Sequence, residues 1–168
     1  MHRYKVFNAP MATTAATAKV TTGTAIKTML QLATPSTRQI QLISWGYNTD
    51  AGPSSAGVVE LIQTDVAATV TAHVAAGVQP LDPNAPASLM TLGASATGYT
   101  ATAEGTPTAT RLFDAVEVAP GSSSAGGVCY SYQWMPDERP IVAVSRFLRV
   151  RATYGSAVNM LAWICWDE

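Results

Sequence analysis

FLRVRATYGSAVNMLAWICW, residues 147–166, carries two different patterns within twenty positions. In its first half Leu148, Val150, Ala152 and Tyr154 fall on one side of an extended chain, and Phe147, Arg149 and Arg151 on the other. That period of two marks a strand. Gly155 and Ser156 interrupt the alternation. From 158 to 166 both sides are apolar, with Met160, Ala162, Ile164 and Trp166 facing Leu161, Trp163 and Cys165. A strand apolar on both faces either lies centrally in its sandwich or is covered by something beyond it. The Arg149/Arg151 face is open to two readings, an arginine pair in water or a subunit contact that pairs with carboxylates of a neighbour.

Working outward, the same period recurs. Residues 128–134 (VCYSYQW) put Tyr130, Tyr132 and Trp134 on one face, an aromatic ladder that serves either a core or a contact. Residues 111–118 (RLFDAVEV), 141–144, 58–64 (VVELIQT), 39–47 (QIQLISWGY) and 26–32 read as further strands. Turn-forming runs separate them at 34–37 (TPST), 48–57 (NTDAGPSSAG), 120–127 (PGSSSAGG) and 135–140 (MPDERP). Residues 69–76 (TVTAHVAA) fit a short strand or a helical turn equally. Residues 79–107, rich in Pro, Ala, Gly and Thr, form an irregular excursion of a length that usually has a role or lies across a neighbour. About six to eight strands with turns roughly every 8–15 residues, and no long helical stripe, specify an all-β antiparallel β-sandwich. Connections of such unequal length favour the jelly-roll type. The sandwich is expected over 26–168. Residues 1–25, which include the Ala/Thr tract ATTAATAKVTTGTA at 12–25, are expected to be an extended N-terminal arm.

A chain of 168 residues suits one domain. Charged residues make up only 12% of it, about half the globular average. The surface must therefore be largely Ala, Thr, Ser and Gly, which is cheap to desolvate against another protein. Net charge is −1, so no general field draws nucleic acid or an anionic membrane. Arg3, Lys5, Lys19, Lys27 and Arg38 all precede the first acid, Asp50, and the remaining five bases share the chain with eleven acids. That asymmetry is either chance in a sparse set or a basic arm, headed by Arg3 and Lys5, that lies on an acidic neighbour. No apolar run reaches the length of a membrane span, and no apolar core follows the first basic residues as it would in a secretion signal. Synthesis and assembly in the cytoplasm are expected.

Chemistry is sparse. Cys129 and Cys165 are too few for a disulfide framework or a zinc site and read as buried free thiols. His73 lies among Ala, Thr and Val without a Gly-x-Ser-x-Gly elbow, and reads as a surface or hydrogen-bonded residue. The acids are scattered, and the adjacent pairs Asp137-Glu138 and Asp167-Glu168 would point to opposite faces of a strand. Neither an enzyme, a metal site nor a cofactor is expected.

Residues 59–64 (VELIQT), 81–87 (LDPNAPA), the Thr/Ala-rich run to 103–106 (AEGT), 158–163 (VNMLAW) and the acidic Asp167-Glu168 together resemble a group of small tailed-phage virion proteins. These are similar to jelly-roll head-decoration or minor capsid proteins. The likeness covers roughly residues 38–168. It implies a homotrimer on the head surface, bound to the major capsid protein and stabilising the shell by mass action. Tyr130, Tyr132, Trp134, Phe147, Arg149, Arg151 and Trp163, with Arg3 and Lys5 of the arm, are then the candidates for subunit or capsid contact. A tail or baseplate subunit of the same fold is the main alternative, and a carbohydrate-binding module a lesser one.

Overall fold

The computed structural model describes residues 2–11, 13–122, 124 and 126–168. Met1 and Ala12 of the expected arm, and Ser123 and Ala125 of the Gly/Ser loop, lie outside the described residues. In chain order the strands are β1 (Arg3–Phe7), β2 (Val20–Thr21), β3 (Ile26–Ala33), β4 (Ile40–Thr49), β5 (Gly57–Thr64), β6 (Thr69–Ala72), β7 (Val78–Pro80), β8 (Gly98–Ala103), β9 (Thr110–Val118), β10 (Cys129–Gln133), β11 (Ile141–Val142), β12 (Phe147–Tyr154) and β13 (Asn159–Asp167). One 3₁₀ turn, Ala75–Gly77, precedes β7. Residues 69–76 thus contain both a strand and the start of a helical turn.

Two antiparallel sheets pack as a β-sandwich. The first runs β10-β4-β13-β1-β7, with β11 against β4 and β2 against β13; the second runs β6-β8-β3-β12-β5-β9. β13 is therefore central, between β4 and β1, which is why it is apolar on both sides. Its inward residues Met160, Ala162, Ile164 and Trp166 meet Tyr4, Val6, Leu42, Trp45 and Tyr47 of the same sheet and Leu30, Leu32, Leu61, Leu148, Val150 and Tyr154 of the other in one core. Each large side chain enclosed there contributes about 1.5–3 kcal/mol relative to exposure. The alternation of β4 slips at Ile43, because Cys165 lies opposite Ser44 while Trp166 lies opposite Leu42. Ile43 is the extra residue of a bulge, and the sequence there turns apolar on successive positions for that reason.

The first 25 residues are not an arm throughout. Arg3–Phe7 pairs with β13 on one side and β7 on the other, and Tyr4, Val6 and Ala9 enter the core. The alternation of RYKVF was hidden by the patternless tract after it. The described residues among 10–19 are exposed, and the chain rejoins the sheet at Val20.

Residues 65–109, which join β5 to β9 and include the excursion expected at 79–107, lie across the chain's own second sheet. They contribute β6 and β8 to that sheet's edge and β7 to the first sheet. Their loops fold over the outward face of β3 and β12. There the Gln31 amide donates to the carbonyls of Ala68 (3.2 Å) and Ala96 (2.7 Å) and accepts from the Ala68 N–H (2.8 Å). Glu104 accepts from the N–H (2.5 Å) and hydroxyl (2.6 Å) of Thr28. Polar side chains seated on backbone groups hold the cover down, so it needs no apolar pattern of its own.

Candidate interaction surface

The nine candidate contact residues separate into three places. Arg3, Lys5 and Trp163 share the outward face of the first sheet. Tyr130 and Tyr132 stand on the core side of the edge strand β10, and Trp134 follows directly after it. Phe147, Arg149 and Arg151 share the outward face of β12.

The third group is mostly internal. Arg149 is 0% exposed, and its guanidinium donates to the carbonyls of Val66 and Glu104 and pairs with the Glu104 carboxylate at 3.4 Å. It serves the covering segment and is not available to a neighbour, contrary to expectation. The reason is topological: the excursion brings carbonyls over a face that would otherwise hold a bare charge. Arg151 stands opposite Glu60 in register and bonds it at 2.9 Å, so this arginine also finds its carboxylate within the chain. Phe147 is half-buried beside them.

The aromatic ladder is graded. Trp134 is 8% exposed and belongs to the core, Tyr130 is half-buried and Tyr132 is 42% exposed. The Tyr130 hydroxyl donates to Asp114 of β9 at 2.8 Å, and the Trp45 indole N–H donates to the same oxygen at 3.0 Å. Asp114 thereby ties the edge strands of both sheets together. Burial, followed by the hydrogen bond to Asp114, pushes the Tyr130 phenol up to about 12. Only Tyr132 of the three presents a wide free surface. Cys129, expected to be buried, is exposed because it faces outward on this edge strand; Cys165 is buried, and that burial raises its thiol. His73 is enclosed and donates from Nε2 to the Phe7 carbonyl at 2.7 Å, and burial lowers its pKa.

On the outward face of the first sheet the register builds a grid. One row runs Lys5, Cys165, Ser44, Gln133; the next runs Phe7, Trp163, Gly46, Ser131. Gly46 carries no side chain where the Trp163 ring lies: a Cβ there would meet the ring at 2.8 Å and the Tyr130 carbonyl at 2.6 Å. The indole rests in that gap. The Lys5 ammonium sits 4.2 Å from its ring centre and 5.0 Å from that of Phe7. Arg3, 60% exposed, reaches Asp167 at 3.4 Å, and Arg139 holds the same carboxylate at 3.1 Å. Phe7, Leu161 and Trp163 all keep part of their surface open to solvent.

No family model, curated protein or solved structure matches this chain.

The two outward faces therefore differ in kind. The second sheet is covered over β3 and β12 by the chain's own polar-anchored loops, while Leu112 on its edge strand β9 stays 55% exposed. The first displays a half-open patch of Phe7, Leu161 and Trp163 with a basic margin; the two-sided apolar pattern marked Trp163, and the charge asymmetry of the chain marked Lys5. Gly46, which makes room for the indole, had no signal beyond being a glycine within a strand.

Proposed function

We propose that the chain is a non-enzymatic structural subunit of a phage particle, a capsid decoration or minor head protein. It seats as a homotrimer on the lattice of the major capsid protein and stabilises the shell. The observation that carries this reading is the contrast between the two outward faces. A half-open patch of Phe7, Leu161 and Trp163 on the first sheet, where the second sheet covers β3 and β12 with the chain's own loops, is the kind of surface a subunit buries against other protein. The low charge of the whole chain lowers the desolvation cost of such contact.

The strand order supports the jelly-roll form of the sandwich. Setting aside β6, β7 and β8 of the segment between β5 and β9 and the two-residue β2 and β11, and numbering β1, β3, β4, β5, β9, β10, β12 and β13 from first to eighth, one sheet runs first, eighth, third, sixth. The other runs second, seventh, fourth, fifth. That succession is two Greek keys wrapped into one sandwich, a form common in capsid proteins.

Light scattering on the purified chain should report three copies, and heads lacking this subunit should bind it in a pelleting assay. Substituting Trp163→Asp should weaken trimer or head binding by at least tenfold while the circular dichroism spectrum is kept. A monomer that stays in the supernatant would dispose of the proposal. Labelled chain seen by electron microscopy on tails would move it to the tail.

A further inference from the structure

β1 and β2 occupy the same side of β13, since β4 holds the other. Phe7 stands opposite Trp163 and Val20 opposite Met160. From Trp163 to Met160 is three residues, whereas from Phe7 to Val20 is thirteen. Ten residues therefore loop out of what is otherwise a single strand running along β13. The described residues among 10–19 are all exposed. Among the hydrogen bonds between described residues none involves residues 9–18; Lys19 alone is anchored, by its ammonium to Asp50 at 2.9 Å.

β1, by contrast, is firmly held. It pairs with strands on both sides, Asn8 bonds the backbone of Met160 and Ala162 through its side chain, and Tyr4 donates to the Pro86 carbonyl at 2.9 Å. The slot between β13 and β7 thus specifies β1 closely, while nothing in the tether specifies whose β1 fills it.

We propose that β1 is exchanged between copies of this chain, the slot of one copy taking β1 of the next around a closed ring. Every contact of the slot is kept, and only the tether changes path. Opened out, its ten residues span up to about 33–36 Å, enough to cross to an adjoining subunit. Within an oligomer the neighbouring slot is present at high effective concentration, so exchange has no dilution to overcome. The exchange rests on the trimer proposed above and names the element that links its members.

Lys5 and Cys165 are directly opposed, and opposed residues of an antiparallel pair lie about 4.5–5.5 Å apart at Cα, within disulfide range. The test is the double variant Lys5→Cys, Cys129→Ser, oxidised after assembly and run on a denaturing gel without reductant, with light scattering of the same sample. The expected result is covalent species of two and three copies that collapse to single chains on reduction. Disulfides closed within single chains in a trimeric sample would overturn the exchange and leave the trimer standing. The same closed chains in a monomeric sample would overturn both. If Lys5→Cys does not fold or oxidise, the pair Val6→Cys and Val78→Cys, with both native cysteines changed to Ser, reads the other edge of the same slot without touching the proposed contact face.

Discussion

Arg149 shows how far a side chain's surroundings can depart from its period. Its place on the polar side of an alternating strand is what a solvated or interfacial arginine would have, yet it is enclosed and donates to two backbone carbonyls and one carboxylate. Removing a buried charge strands its partners, so Arg149→Met should destabilise the fold by about 3–5 kcal/mol in urea unfolding. A loss below about 1 kcal/mol, the range of an exposed ion pair, would mean that the guanidinium is in water after all. Arg151 and Trp163 were easier to place. Their faces follow directly from alternation, and only their partners, Glu60 and Lys5, required the strand order.

At the scale of elements, the strands around the core were legible because burial on one face imposes a period of two. β3, β4, β5, β9, β10 and β12 carry it over much of their length, and β13 was legible instead as a strand apolar on both faces. β1 did not stand out, since five alternating residues ahead of an Ala/Thr tract look like part of that tract, and only pairing with β13, far along the chain, makes them a strand. β8 (GYTATA) was lost for a similar reason inside a low-complexity run. The cover over the second sheet is polar in its anchoring and left no periodic trace. One of its hinges is testable: Asp65 accepts from the hydroxyl (2.5 Å) and N–H (3.0 Å) of Thr108 and from the Ala109 N–H (3.1 Å). Those bonds, the hydroxyl's foremost, hold its carboxyl at about 2, below the unfolded value of about 3.9. The stabilisation is therefore present above about pH 4 and is lost as pH falls through 2. Carboxyl NMR should show that low midpoint in the native chain and a rise toward the ordinary range in Thr108→Val; a native midpoint near 4 would mean that the hinge is not closed.

For the molecule as a whole, the looped-out residues offer a further check on the register. Excising residues 10–19 joins Ala9 to Val20 and leaves Val20 still opposite Met160. The shortened chain should fold and gain roughly 2 kcal/mol from the closure entropy it no longer bears. A chain that fails to fold would show that the two segments do not lie in line. The topology also governs when the protein can form. β12 lies between β3 and β5, and β13 between β4 and β1, so the middle of each sheet is the last part of it to leave the ribosome. Until residues 147–167 emerge, β1, β3, β4 and β5 each wait with an unsatisfied edge, and such edges are what chaperones guard during synthesis. Translation itself thus acts as a timer: a nascent copy cannot present both sheets in finished form before its own synthesis has passed residue 167.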